Sequence, residues 1–208
     1  FSGGAMLMFG QSSAFVDRSR FIDNAATNGG GALAQLDSSV IDLRQCEFRG
    51  NSATGGAAHI AFGDNLLLAT NTLFADGVSA GGAAIQLQGT ADATLINCTV
   101  AGNTAANTIS AFTPDNVFVA SNTIFAGNSN VNGPAGPGSS AGTLVLDRCL
   151  FPEAAGNNIA LEPLFVDAAS GDYRVRSGSP AIDAGNDAAS PQDVADLDQN
   201  PRVVDDTG

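Results

Sequence analysis

The side chains able to do chemistry are few and scattered along the chain. Asp196, Asp198 and Asn200 alternate as the oxygen ligands of a calcium loop do. No glycine follows in the sixth position and no distal glutamate is spaced for bidentate binding, so an EF-hand is excluded. Two readings stay open for the three residues, a calcium tie in a closing segment and an Asx-rich turn before Pro201. His59 is the only histidine. As a general base it would need a recurring partner, which its neighbourhood lacks, so it reads as a partly buried ring beside a small Ala34. Asp42 and Asp64 are the acids around which a carboxylate cluster could gather. Cys46, Cys98 and Cys149 are an odd number of thiols, and "NCT" at Asn97 is a glycosylation sequon.

Whether any of these residues meet depends on the elements that carry them, and the chain repeats itself. A Gly-Gly-Ala opening recurs at Gly3, Gly30, Gly55 and Gly81, and an apolar-x-x-Asn string recurs as "FIDN", "FRGN", "VAGN" and "FAGN". Anchored on Phe21, Phe48, Phe74, Val100, Phe125 and Phe151, the units are 27, 26, 26, 25 and 26 residues apart. A period of that size marks a stacked array, and propeller blades need about 40 residues each. Five and seven residues upstream of the anchor every unit is apolar, as at Leu43 and Ile41, which is a strand with one buried face. A second strand follows each glycine pair. The expected fold is all-β: a right-handed parallel β-helix of about six coils of ~26 residues, with no α-helix.

The repeat then sorts the reactive residues. The cysteines fall in one column, Ser19, Cys46, Thr72, Cys98, Thr123, Cys149, on every second coil. Coils stack about 4.8 Å apart, so neighbouring cysteines lie roughly 10 Å apart. A disulfide needs Cα atoms within about 7 Å, so three free, buried thiols are expected. Three residues upstream of the anchor, Asn71, Asn97 and Asn122 follow one another and predict an amide ladder, which places Asn97 in structure rather than under a glycan. The outward column six before the anchor reads Phe15, Asp42, Leu68, Thr94, Val119, Val145. Glycosidases on such scaffolds need two carboxylates on adjacent coils, and this column has one. The positions after the glycines, Met6, Leu33, Ala58, Ala84 and Met8, Gln35, Ile60, Gln86, read outward, supply no second. The expectation is therefore no catalytic residues, and no cofactor apart from the calcium tie.

Composition agrees. The chain has 21 acidic residues against eight basic ones, all arginine, for a net charge of −13. Such a surface repels nucleic acid and anionic lipid, and no apolar run is long enough for membrane insertion. The chain opens at Phe1 already inside a repeat, which reads as a trimmed chain whose first strand edge is covered by another segment or subunit.

The paired GGA[I/L/M/A] and FxxN motifs resemble the repeats of polymorphic outer membrane proteins, which are autotransporter adhesins, and of secreted bacterial β-helix proteins with pectate-lyase-like coils. "EPLFVDAASGDYRVRSGSPAIDAG", Glu162 to Gly185, with "DLDQNPRVVD", Asp196 to Asp205, resembles the end region of β-helix proteins of the choice-of-anchor type. Gly77 departs from the motif asparagine, and "NTISAF" replaces the glycines of the fifth coil. The resemblance implies a secreted bacterial protein of the extracellular or outer cell surface. Residues 1–154 should form the coils, with a protruding loop at 127–142, and residues 155–208 a closing segment over the C-terminal coil. Apolar Phe15, Leu68, Val119 and Val145, with Phe1 at the open end, are the candidates for self-association. The function expected is a structural or adhesive module binding copies of itself, other surface proteins or glycans; the alternative is a carbohydrate-active β-helix enzyme.

Overall fold

The computed structural model describes residues 2–62, 64–80, 83–106, 109–111, 114–130, 132–138, 141–191 and 195–202. Phe1 lies outside them. The chain is a parallel β-solenoid in which each of five coils contributes one strand to each of three main sheets and a sixth adds a strand to the longest. The long sheet stacks six five-residue strands, Ser13–Asp17, Val40–Arg44, Leu66–Thr70, Asp92–Ile96, Val117–Ser121 and Thr143–Asp147. The anchor sheet stacks Arg20–Ile22, Glu47–Arg49, Leu73–Ala75, Thr99–Ala101 and Ile124–Ala126. The third sheet stacks Met6–Met8, Leu33–Gln35, Ile60–Phe62, Ile85–Leu87 and Ile109–Ala111. Among the described residues a sixth anchor strand does not form, and Leu150 alone bridges to Ile124. The described helices are two single 3-10 turns in the C-terminal region.

The period sets the long sheet's register, pairing Phe15, Asp42, Leu68, Thr94, Val119 and Val145 across six rungs. Its inward rows compensate in size, with Ala93 next to Phe118 and Ala69 next to Leu43 and Leu95, all fully or almost fully buried. In the anchor row Phe21 stacks on Phe48 at 4.5 Å and Phe48 on Phe74 at 5.0 Å. Each buried ring contributes roughly 2 kcal/mol by area.

Two turn columns need a left-handed backbone, one of them Asp23, Gly50, Asp76, Gly102 and Gly127 just after the anchor strands, at φ between 54° and 66°. Between the long and anchor sheets, Arg18, Gln45, Asn71, Asn97, Asn122 and Arg148 all have φ between 45° and 54°. Asparagine tolerates this region best among residues with a side chain, which is the first reason for three in succession. The expected amide ladder there is one rung, Asn122 Nδ2 donating to Asn97 Oδ1 at 3.0 Å. The Asn71 amide instead donates to the Ala195 carbonyl at 2.6 Å and accepts from Arg202 at 3.1 Å. The continuous ladder lies in the FxxN column: Asn51 Oδ1 accepts from the Asn24 amide groups, and Asn128 Oδ1 from those of Asn103, all at 3.0 Å.

The third sheet departs from the sequence register. Ile60 pairs with Leu33 and Ile85, not with Gln35 and Gln86, and this row faces the core. The Met6 and Leu33 row therefore points inward, against expectation. The reason is that the glycines hold no fixed place in the coil: Gly30 bridges Ala57 rather than Gly55, in the same register that pairs Leu33 with Ile60. His59 O takes the Ala32 and Leu33 amides, and Ala84 O takes those of His59 and Ile60. Counting from the glycines misses this register. The glycines themselves are required by close backbone approach: a Cβ on Gly31 would sit 2.1 Å from Ala58 O, and one on Gly56 1.8 Å from Gly29 O.

The three cysteines are free and buried. Each thiol donates to the carbonyl two residues before it and to one in the coil below, as Cys98 does to Ile96 and Ala69 at 3.4 Å. The intervening hydroxyls fill the column, Thr72 and Thr123 accepting from the Cys46 and Cys98 amides, and Asn158 accepts from that of Cys149. Burial pushes the Cys98 thiol up to about 12 and that of Cys149 to about 11. Maleimide at pH 7 is therefore expected to leave the native protein unlabelled and to modify three thiols in unreduced, denatured protein. Mass spectrometry counts them, and fewer than three would mean a disulfide.

The C-terminal segment does two things. Ile159 pairs with Leu150 and covers the edge of the anchor sheet. From Pro163 onward the chain runs back along the flank of the solenoid as a strap, instead of staying over the last coil as expected. Its hairpin, Phe165–Asp167 with Asp172–Val175, carries Tyr173 to the Asp76 carboxylate. Farther on, Asn186 and Ser190 meet Asn122, while Ala195 and Asp196 meet Gln45. The loop at 127–142 starts as a small hairpin, Ser129–Asn130 with Gly133–Pro134. It returns to bury Ala135 and to set Gly136 against the Phe151 ring.

Candidate functional site

His59 is fully buried and has a structural partner that its sequence neighbourhood hides. It stands where adjacent coils carry Ala32 and Ala84, and it fills the place of the side chain missing at Gly77. A Cβ on Gly77 would lie 2.5 Å from His59 Nε2. The imidazole completes the asparagine ladder: Nε2 lies 2.8 Å from Asn103 Oδ1, and Nδ1 lies 3.1 Å from Asn51 Nδ2. Since Asn103 Oδ1 can only accept, Nε2 carries the proton and Nδ1 accepts from Asn51. Burial lowers the His59 pKa to about 4, against the smaller opposing effect of the Asn103 bond. The ring is thus a neutral ladder member; it is wholly rather than partly buried.

The other candidates do not converge. Asp42 is held by Arg44 at 2.9 Å on the long sheet, whereas Asp64 accepts from the Thr90 amide at 2.8 Å in the turn before that sheet. Asp196 Oδ1 accepts from the Asn200 amide at 2.8 Å, closing the turn ahead of Pro201. Among the described residues no three His, Cys, Asp or Glu side chains gather as a metal would require. Asn97 is 6% exposed beneath the strap, consistent with its place in structure rather than under a glycan.

The cluster that reading from sequence missed lies on the outer side of the anchor sheet. Glu47 Oε2 accepts from Arg20 Nε at 2.6 Å and Oε1 from Arg49 Nε at 2.7 Å. Arg49 continues to Asp76 Oδ2 at 3.0 Å, and Tyr173 donates to Asp76 Oδ1. The signal was present in the positions flanking the anchor, where Arg20, Glu47 and Arg49 alternate in charge. Two carboxylates on adjacent coils look like an acid and base pair, but the chemistry is otherwise. Partial burial alone would raise the Glu47 pKa; the bonds from Arg49 and Arg20 outweigh it and hold it below the usual range. Burial and the Asp76 bond push Tyr173 up, so it stays a donor. All four carboxylate oxygens are engaged, which suits a clasp for the strap and leaves no free proton acceptor.

The broad patterned surface left open is the outer face of the long sheet. Phe15 is 61% and Val145 47% exposed, with half-buried Leu68 and Val119 between them in one row. Val40, Leu66 and Val117 lie in a parallel row that Asp92 interrupts. Arg44 lies 5.1 Å from the Phe15 ring centroid. A groove of ≈ 470 Å³ on another side is lined by Ala25, Thr27, Ser52, Thr54, Val78 and Ala80, among others, without a titratable or aromatic group.

A family model described as right handed beta helix region matches residues 2–159. Comparison with curated proteins and with solved structures finds no match. With that match covering most of the chain and every coil laid out as parallel rungs, the chain belongs to the right-handed β-helix family.

Proposed function

We propose that the chain is a non-catalytic structural or adhesive module of an extracellular or outer cell surface, which associates side by side through the outer face of its long sheet. The observation that carries this reading is the row of Phe15, Leu68, Val119 and Val145, left uncovered beside the Val40 and Leu66 row. Asp42, paired with Arg44, and Thr94 interrupt the row, but exposed apolar side chains gathered on one face in this way mark a contact. Six rungs about 4.8 Å apart and five residues long give a face of roughly 400 Å². That is about half of what each partner buries in a stable pair, so single contacts are weak and gain strength by repetition along a surface. The partners are copies of the chain or other surface proteins. End-to-end stacking is less favoured, because Asn158 and Ile159 occupy the last edge of the anchor sheet.

The resemblance of the repeats to adhesin repeats, and of Glu162 to Gly185 to choice-of-anchor ends, supports a bacterial surface location. No helix among the described residues is long and apolar enough to cross a membrane. The rival reading, a carbohydrate-active enzyme, needs one carboxylate kept protonated beside a second. Arg49 and Arg20 hold Glu47 below the usual carboxylate range, and both oxygens of Asp76 are taken by Arg49 and Tyr173, which weighs against it.

Val119→Lys is the direct test, since its charge enters the middle of the row without touching the core. Sedimentation velocity of the wild type should show a weight-average mass that rises with concentration, and the variant should weaken that association at least tenfold. Equal behaviour of both proteins would remove the long sheet as the contact.

A further inference from the structure

The strap is held by a track that does not depend on its having its own fold. Among the described residues from 163 onward only Pro163 and Ser179 are buried, and regular structure amounts to one two-stranded hairpin and two short turns. Such a segment has no core and takes its order from the flank it lies on. The flank offers two repeated features. The outward positions Ala75, Ala101 and Ala126 make a floor of small, buried side chains, whereas Ile22 in the same column of the first coil is 36% exposed. Beside this floor runs the left-handed ridge, whose Gln45, Asn71 and Asn122 amides bond to strap backbone at Ala195, Asp196 and Asn186. Ridge amides one coil apart can grip any extended chain laid across them, because they bond mostly to backbone.

The fit is also incomplete. Asn97 Nδ2 is buried beneath the strap and has no partner among the described residues. A cavity of ≈ 330 Å³ remains between Ala126, Leu150 and Pro152 on one side and residues 160–163 on the other. The joint between the last rung and the strap, Ala160, Leu161 and Glu162, is exposed.

We infer that the flank is a docking track for an extended segment and that its second occupant is the strap of another copy of this chain, exchanged by release at residues 160–162. Exchange of identical elements is a low-cost route to a dimer, because every contact is remade. This surface is separate from the long sheet, so either proposal can fail alone.

The test uses the full chain carrying Val119→Lys, which removes the long-sheet contact. One batch is labelled with a donor dye at Gln11→Cys and the other with an acceptor at Ser177→Cys, both exposed positions, while the native thiols stay buried. The batches are mixed, held in urea below the solenoid's transition, and returned to buffer. Energy transfer that appears only after the urea step, in a fraction of twice the monomer mass, is the expected result. A monomer without transfer at every concentration would overturn the proposal. So would transfer that appears at once on mixing in buffer, since ordinary association needs no release.

Discussion

Gly31→Ala is expected to lower stability by at least about 3 kcal/mol, enough to leave much of the chain unfolded at 37 °C. Its Cβ would lie 2.1 Å from Ala58 O and 2.5 Å from Ser52 O. Both are backbone atoms of the next coil, fixed by the ladders above and below, so neither can swing aside as a side chain would. Gly136→Ala is the control. Its Cβ would meet nothing closer than the Phe151 ring at 3.8 Å, and it should shift the urea midpoint by less than about 0.5 kcal/mol equivalent. Midpoints for the two variants that differ by less than 1 kcal/mol equivalent would mean that the backbones do not approach as closely as described.

The second large effect is a coupling. His59→Ala takes one of two donors from Asn103 Oδ1, which keeps the Gly77 amide, leaves one Asn51 amide hydrogen unpaired and opens a cavity, for a loss of about 3 kcal/mol. Gly77→Asn alone should lose a similar amount, because the new side chain collides with the imidazole. Together they restore the repeat pattern, a small residue at 59 and asparagine at 77. The double variant should therefore recover at least 2 kcal/mol relative to the sum of the singles. Additive losses would contradict the ladder. The pH dependence follows from the same geometry. Burial disfavours the imidazolium by more than the Asn103 bond favours it, so the folded pKa of about 4 lies below the unfolded value near 6.5. The unfolded chain binds the proton first as pH falls. This contribution, on the order of 3 kcal/mol, is thus fully present above about pH 6.5 and is lost between there and about pH 4. Urea unfolding of the double variant should show a flatter profile across that window.

The long and anchor sheets were legible because the phenylalanine anchor sits inside the strands it dates, and Ile41, Leu43 and Phe48 follow from counting back. The third sheet was not, since its glycines do not stack one on another: Gly30 bridges Ala57, and Gly55 stands two residues ahead of that position, so counting from each Gly-Gly-Ala shifts the strand that follows. His59 and Gly77 each stood out as departures from the repeat. That they are one substitution shared between two positions is visible only where the coil closes. Ser39, Asn65 and Asn116, which cap the entry to the long sheet, were readable at nine before the anchor. The strap has no period at all. Tyr173, Asn186 and Arg202 find their partners through single side chains and backbone atoms, a kind of contact that leaves no pattern in a sequence. The clasp of Glu47, Arg49 and Asp76 was missed for a simpler reason, as its residues flank the anchor rather than stand on the long sheet.

The central claim is that these solenoids meet side by side, long sheet to long sheet. Small-angle X-ray scattering of the wild-type protein over a range of concentrations tests it most directly. The account predicts that the cross-sectional radius grows with concentration while the axial length stays near that of one solenoid, about 24 Å across its six stacked rungs. A curve that stays that of a single short rod at every concentration would contradict association, and growth in length at constant cross-section would contradict the face assigned to it.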